Sequence, residues 1–218
     1  GVTTVVVGNC GFGAAGSKAG KAQMKAINEP SIELPDWTGY AGYLEEVEKT
    51  SPAINVAALI GHHTSRREAM NGVADRRPTD SELKLMLASV SEGMEAGALG
   101  MSTGLVYEPG RYAATEEVIA LSEVVGRYEG LYVSHMRDEG SGLLDSVRET
   151  LHIGELSGTS VQISHHKSVG KSNWGMVSRS LELIDESIAQ GRNVTADQYP
   201  YTARSTMLFA LVQNGTFN

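Results

Sequence analysis

The chain has one cysteine, so it cannot form an internal disulfide, which points to a reducing compartment or to a thiol with a chemical task. There is no run of five or more basic residues and the net charge is -8, which argues against nucleic acid, whose phosphates call for clustered Lys and Arg. No stretch of about 18 apolar residues is present, so no membrane span is expected, and a cytoplasmic location follows as the expectation. A Walker motif, a GxGxxG after a strand and a GxSxG elbow are all missing, which removes support for nucleotide cofactors and serine hydrolysis. Neither an internal repeat nor a low-complexity tract stands out. Gly1 leads straight into an apolar run without a starting Met or signal peptide, and LFALVQNGTFN closes without a terminating element, so both ends read as cut.

What is present is a recurring pattern. VTTVVVGNC (2–10), INVAALIGHH (54–63), GLYVSHMRDEG (130–140), SVQISHHK (160–167) and NVTADQYPY (193–201) are short apolar runs that stop at Cys, His, Asp or Tyr. Such runs read as strands buried on both faces, as a parallel sheet requires. Strand-end ligand types converge where barrels and open α/β sheets keep their active sites, so the pattern suggests a metal-dependent enzyme.

Helical patterns alternate with these strands. One is expected from about Thr79 to Ala96, where Thr79 and Glu82 have capping-box spacing and Leu83, Met86, Leu87 and Val90 form an apolar stripe. Others are expected at about Asp36 to Lys49, Thr115 to Arg127, Leu143 to Leu156 and Met176 to Ala189. Strands are expected at 2–10, 55–61, 98–105, 130–136, 160–165 and 193–199. Six βα units fit either an open doubly wound sheet or an incomplete eight-stranded barrel, and periodicity does not separate the two. Phe12 to Pro35, rich in Gly, Ala and Lys and poorly patterned, reads as a long loop on the active-site face.

Cys10 sits at a strand end between glycines, where it is either a buried small apolar residue or a thiolate ligand. His135 and His165 follow their apolar runs at equivalent places on consecutive strands, which favours a shared ion. Imidazole and thiolate together suit Zn²⁺ better than Mg²⁺ or Ca²⁺, and these three would leave a position for water, as catalytic zinc sites do. His166 points to the opposite face from His165 and reads as a supporting or structural residue. Either one of His62 and His63 faces the mouth, or both lie on a surface loop with Arg66 and Arg67. His152, in mid-helix, reads as solvent-facing. Lys167 and Arg137, each two residues after a ligand His, could bind a substrate carboxylate or equally form rim salt bridges. Two further runs, 100–110 and 197–206, bring Tyr107, Tyr199, Tyr201, Ser205 and Thr206 to the same face.

At these residues the chain resembles the N-acyl-D-amino-acid deacylases (D-aminoacylases) of the amidohydrolase superfamily. The matching stretches are GVTTVVVGNCGF, GH at 61–62, GALGMSTGLVYEPG, YVSHMRDEG, QISHHK and TADQYPYTA, which together span almost the whole chain. The resemblance implies an α/β fold, a (β/α)8 TIM barrel of which about strands two to seven lie in 1–218, with the first and eighth strands and a small β-domain outside. It also implies zinc-assisted hydrolysis of a small-molecule N-acyl-D-amino acid, with Cys10, His135 and His165 as metal ligands. By the same match Lys167, Tyr107, Tyr199 and Ser205 lie near the substrate carboxylate or carbonyl. The family's HxH pair and catalytic aspartate are expected outside the chain, so no catalytic base is identified within it. GHHTSRREAM departs from the family's usual pattern. The alternatives are an amidohydrolase of cyclic amides, of hydantoinase or dihydroorotase type, and a non-catalytic metal-binding module. An incomplete barrel exposes strand edges, so residues 1–218 alone are expected to self-associate, helped by the apolar tail MLFALV (207–212).

Overall fold

In a computed structural model, described over residues 1–13, 18–27, 33–72, 75–206 and 208, the apolar runs become one six-stranded parallel sheet. The strands are β1 (Thr4–Val7), β2 (Asn55–Gly61), β3 (Gly100–Gly104), β4 (Leu131–His135), β5 (Ser160–Ile163) and β6 (Val194–Ala196). Seven helices accompany them among the described residues: α1 (Lys18–Ile27), α2 (Gly39–Lys49), α3 (His62–Ala69), α4 (Asp80–Glu95), α5 (Thr115–Gly126), α6 (Leu143–Ser157) and α7 (Met176–Ala189). None of the helices described is long and apolar enough to cross a membrane.

Strand order decides what periodicity left open. The order is β1-β2-β3-β4-β5-β6 with every neighbouring pair parallel, so the sheet has no point at which the winding reverses. Right-handed crossovers then place the helices on one side, and consecutive helices α4 to α7 pack against one another there. A doubly wound sheet would need a reversal. This is the curled arc of a (β/α)8 barrel.

The core lies between arc and helices. Met86 and Val90 of α4, Val118 and Leu121 of α5, Val147 of α6 and Met101, Tyr132 and Ile163 of the strands are all buried. Each such side chain contributes about 1.5–3 kcal/mol relative to exposure. At the start of α4, the Thr79 hydroxyl accepts from the Glu82 N–H and the Glu82 carboxylate accepts from the Thr79 N–H, the reciprocal cap that the spacing announces.

Two elements differ from expectation. The stretch expected to be a loop from Phe12 to Pro35 contains α1, because Ala, Lys, Gln and Met are strong helix formers. The surface-loop reading of 62–67 is replaced by α3, in which His62, His63, Thr64, Ser65 and Arg66 are all buried. Its inward face is polar, so it carries no hydrophobic period. Three strands also end two or three residues earlier than expected, at Val7, Ile163 and Ala196, because the chain there turns into the site. Of the tail 207–212, only Leu208 is among the described residues, and it is exposed.

Candidate active site

Cys10 is brought in by a forced turn. After β1, Gly8 takes φ 84° and the chain coils through a 3-10 turn, Asn9–Gly11, in which Cys10 itself has φ 57°. The Ser102 hydroxyl of β3 donates to the Gly8 carbonyl and accepts from the Gly11 N–H at 3.0 Å. Gly104, at the end of β3, lets the Cys10 carbonyl pass where a Cβ would collide with it. His165 follows β5 with φ 39°, and the Asp197 carboxylate at the end of β6 accepts its backbone N–H at 2.6 Å. Two of the three candidate ligands are thus non-glycine residues in the left-handed region. That costs about 1–3 kcal/mol each and is the kind of strain found at functional sites.

His135 ends β4, buried, with its ring 4.2 Å from that of His165 and 4.7 Å from that of Tyr107. The Cys10 Sγ lies 3.8 Å from His165 Nε2, and one ligand atom from each of Cys10, His135 and His165 falls within 4.8 Å of the others. A tetrahedral zinc bound by thiolate and imidazole needs ligand separations of about 3.3–3.6 Å, so small side-chain adjustments close the set. Burial, against the pull of Glu139, takes the His135 imidazole down to about 3, which leaves it neutral as a ligand must be. The Cys10 thiol is pushed up to about 11 by burial and by the Glu139 charge, so in the metal-free site it is protonated. A coordinating metal deprotonates such a thiol.

Beneath this triad lies a residue that the reading of the sequence passed over. Glu139 is buried, with Oε1 at 2.9 Å from His165 Nδ1 and 2.6 Å from Lys167 Nζ, and Oε2 at 3.9 Å from His135 Nε2. Burial alone would raise its carboxyl, but the bonds from His165 and Lys167 and the charges around them hold it at about 2. Its position four residues after His135 was the available signal. Asp197 was likewise visible only as the residue that stops an apolar run.

Lys167 spends its ammonium on Glu139 and on the His165 carbonyl at 2.9 Å, and sits 5.5 Å from the Tyr199 ring. The Tyr107 hydroxyl pairs with Thr206 at 2.9 Å, and Tyr199 stacks on Tyr201 at 6.4 Å. Ser205 is exposed. A cavity of about 540 Å³ has Lys167, Lys171, Trp174, Tyr199, Tyr201 and Arg204 among its walls, and Lys167 links it to His165. Arg137 is directed elsewhere, forking onto Glu149 at 3.0 and 2.9 Å and donating to the Arg111 and Ala113 carbonyls. His166 bonds Ser180 at 2.9 Å, away from the triad, and His152 is exposed. His62 and His63 lie in α3, bonded to Glu117 at 2.9 Å and to the Gly104 carbonyl at 3.0 Å.

No family model matches the chain. The D-aminoacylase of Alcaligenes xylosoxydans xylosoxydans is 39% identical over 215 residues, which are 95% of this chain and 43% of that protein. The N-acyl-D-glutamate deacylase of the same organism is 39% identical over 212 residues, again 95% of this chain and 42% of that one. A crystal structure of the N-acyl-D-glutamate deacylase of Bordetella bronchiseptica, complexed with zinc and a phosphonate inhibitor mimicking the tetrahedral intermediate, matches at TM-score 0.84 and 37% identity. That match covers 92% of this chain and 42% of the other. The chain therefore spans less than half the length of the relatives it matches.

Proposed function

The chain belongs to the family of the D-aminoacylases and N-acyl-D-amino-acid deacylases, and from that premise we propose that it forms the metal-holding arc of a zinc-dependent deacylase. The reaction is hydrolysis of the amide bond of an N-acyl-D-amino acid, releasing a carboxylic acid and a D-amino acid. The observation that carries this reading is the convergence of Cys10, His135 and His165 at the carboxyl ends of three strands. A soft thiolate with two neutral imidazoles favours zinc over the hard cations and disfavours the carboxylated-lysine sites of cyclic-amide hydrolases.

A zinc ion held there would supply Lewis-acid polarisation and an activated water. Within the chain, His135 and His165 would contribute lone pairs, and the ring of Tyr107 packs against His135 at 4.7 Å. Lys167 and Tyr199 both stand in the cavity wall, and Lys167 also reaches His165, which suits them to the substrate's carboxylate and amide carbonyl. Ser205 lies on the neighbouring segment. Arg137 has no part in this reading, since its guanidinium anchors Glu149. The general base and any further ligands come from outside residues 1–218 in this proposal, as does the remainder of the barrel.

The test is turnover of a panel of N-acetyl-D-amino acids, with their L-enantiomers as controls, by the full-length protein. D-selective release of free amine, lost on zinc removal and restored by zinc, is the expected result. Metal-independent or L-selective turnover refutes the reading. Residues 1–218 alone should be slower by at least about 10²–10⁴, the usual cost of a missing general base.

A further inference from the structure

We infer that Glu139 is a positioning residue, whose buried carboxylate fixes His165 in the tautomer that leaves Nε2 with the lone pair and so aims that nitrogen at the metal site. The link to a metal rests on the function proposed above, whereas the tautomer stands on the geometry alone.

His165 Nδ1 has two polar neighbours that demand opposite things of it. Glu139 Oε1, at 2.9 Å, belongs to a carboxylate that can only accept, so Nδ1 must carry a hydrogen to meet it. Lys167 Nζ, at 3.1 Å, can only donate, and would require Nδ1 to be bare. The ammonium has two closer acceptors, Glu139 Oε1 at 2.6 Å and the His165 carbonyl at 2.9 Å, so its hydrogens are satisfied without the ring. The carboxylate has no such alternative, because an oxygen facing a bare nitrogen at this distance sets lone pair against lone pair. Nδ1 therefore carries the hydrogen. In the neutral ring Nε2 is then the acceptor, and it is the nitrogen that lies 3.8 Å from Cys10 Sγ.

The backbone tells the same story from the other side. His165 is held at φ 39° by the Asp197 carboxylate on its N–H, while Glu139 holds the ring. Main chain and imidazole are each fixed by a carboxylate from a different strand end, which leaves the ring little freedom to turn. Carboxylates that grip the far nitrogen of a ligand His fix its orientation and raise its basicity, and their loss typically costs about 10–100-fold in metal affinity.

The experiment uses the full-length protein with two readouts. Long-range ¹H–¹⁵N spectra of the metal-free protein at mildly alkaline pH should show His165 as the Nδ1–H tautomer, and Glu139→Ala should move it toward Nε2–H. Zinc affinity, measured by competition with a chromophoric chelator, should fall about 10–100-fold in Glu139→Ala. Glu139→Gln, which keeps an acceptor for Nδ1–H, should recover part of that loss. An Nε2–H tautomer in the unmodified protein overturns the proposal, and so does parental zinc affinity in a folded Glu139→Ala protein. If Glu139→Ala does not fold, the tautomer of the unmodified protein and the affinity of Glu139→Gln decide. Zinc lost in Cys10→Ala but kept in Glu139→Ala sinks this inference and leaves the metal site standing. An Nδ1–H tautomer in a protein that binds no zinc does the reverse.

Discussion

Two buried clusters in this molecule are built from nearly the same parts. One, on α3, has His62, His63 and Arg66 against Glu117; the other has His135, His165 and Lys167 against Glu139. Each sets a histidine and a cation on one buried carboxylate, with a second histidine beside them. On α3 that second histidine, His63, bonds the Gly104 carbonyl instead. In the α3 cluster both imidazoles face acceptors through Nε2, the Glu117 carboxylate and the Gly104 carbonyl, so that nitrogen carries the hydrogen. The outward end of each ring is consumed in holding α3 to α5 and β3. At the strand ends, Glu139 takes Nδ1 of His165, and the outward nitrogen is left facing Cys10. Buried histidine is therefore not itself a sign of a metal site. Which nitrogen is already bonded distinguishes a structural knot from a ligand set.

The largest expected effect separates the clusters outright. Cys10→Ala should reduce zinc from about one per chain toward none while leaving the fold in place, as read by metal analysis and circular dichroism. Unchanged zinc content would remove Cys10 from the centre and erase the distinction drawn here.

Glu117→Ala should do the opposite. It removes the carboxylate facing a fully buried guanidinium, so about 3–5 kcal/mol of stability should go in denaturant unfolding, with zinc affinity intact. Burial would raise the Glu117 carboxyl, but the bonds from His62 and Arg66 hold it below its ordinary value. A carboxyl lowered in the folded state contributes stability above its unfolded value, about 4.3, and loses it as pH falls through the folded one. The gap between parent and variant should accordingly narrow in acid. A gap that widened in acid would mean the cluster is not held by charge.

Lys167→Ala in the full-length protein is a smaller test of the proposed activity. One lost charge-assisted bond, about 1.5–3 kcal/mol, should raise KM about tenfold or more without changing zinc content. Lower stability with an unaltered KM would make Lys167 only the ion-pair partner of Glu139. The mildest effect concerns the sheet that carries both clusters. β1 and β6 each have a neighbour on one side only among the described residues, so residues 1–218 made alone should self-associate in size-exclusion chromatography with light scattering. A monodisperse monomer with cooperative unfolding would show that these edges are protected within the chain.

The alternation of apolar runs and amphipathic stretches determined by itself that six strands alternate with helices, where α4 to α7 lie, and that Thr79 caps α4. It also put Cys10, His135 and His165 at strand ends, because a run buried on both faces stops where a polar side chain must reach the mouth. The order of strands, the helix α3 and the roles of Glu139, Asp197 and Arg137 were decided only in three dimensions. Periodicity records which face of an element leaves water, and α3 buries a polar face that has no such record. Nor does it record partners: Cys10 and His165 are 155 residues apart, and Glu117 meets His62 across 55. A carboxylate is a salt bridge at the rim or a brace beneath a ligand according to what the fold sets beside it.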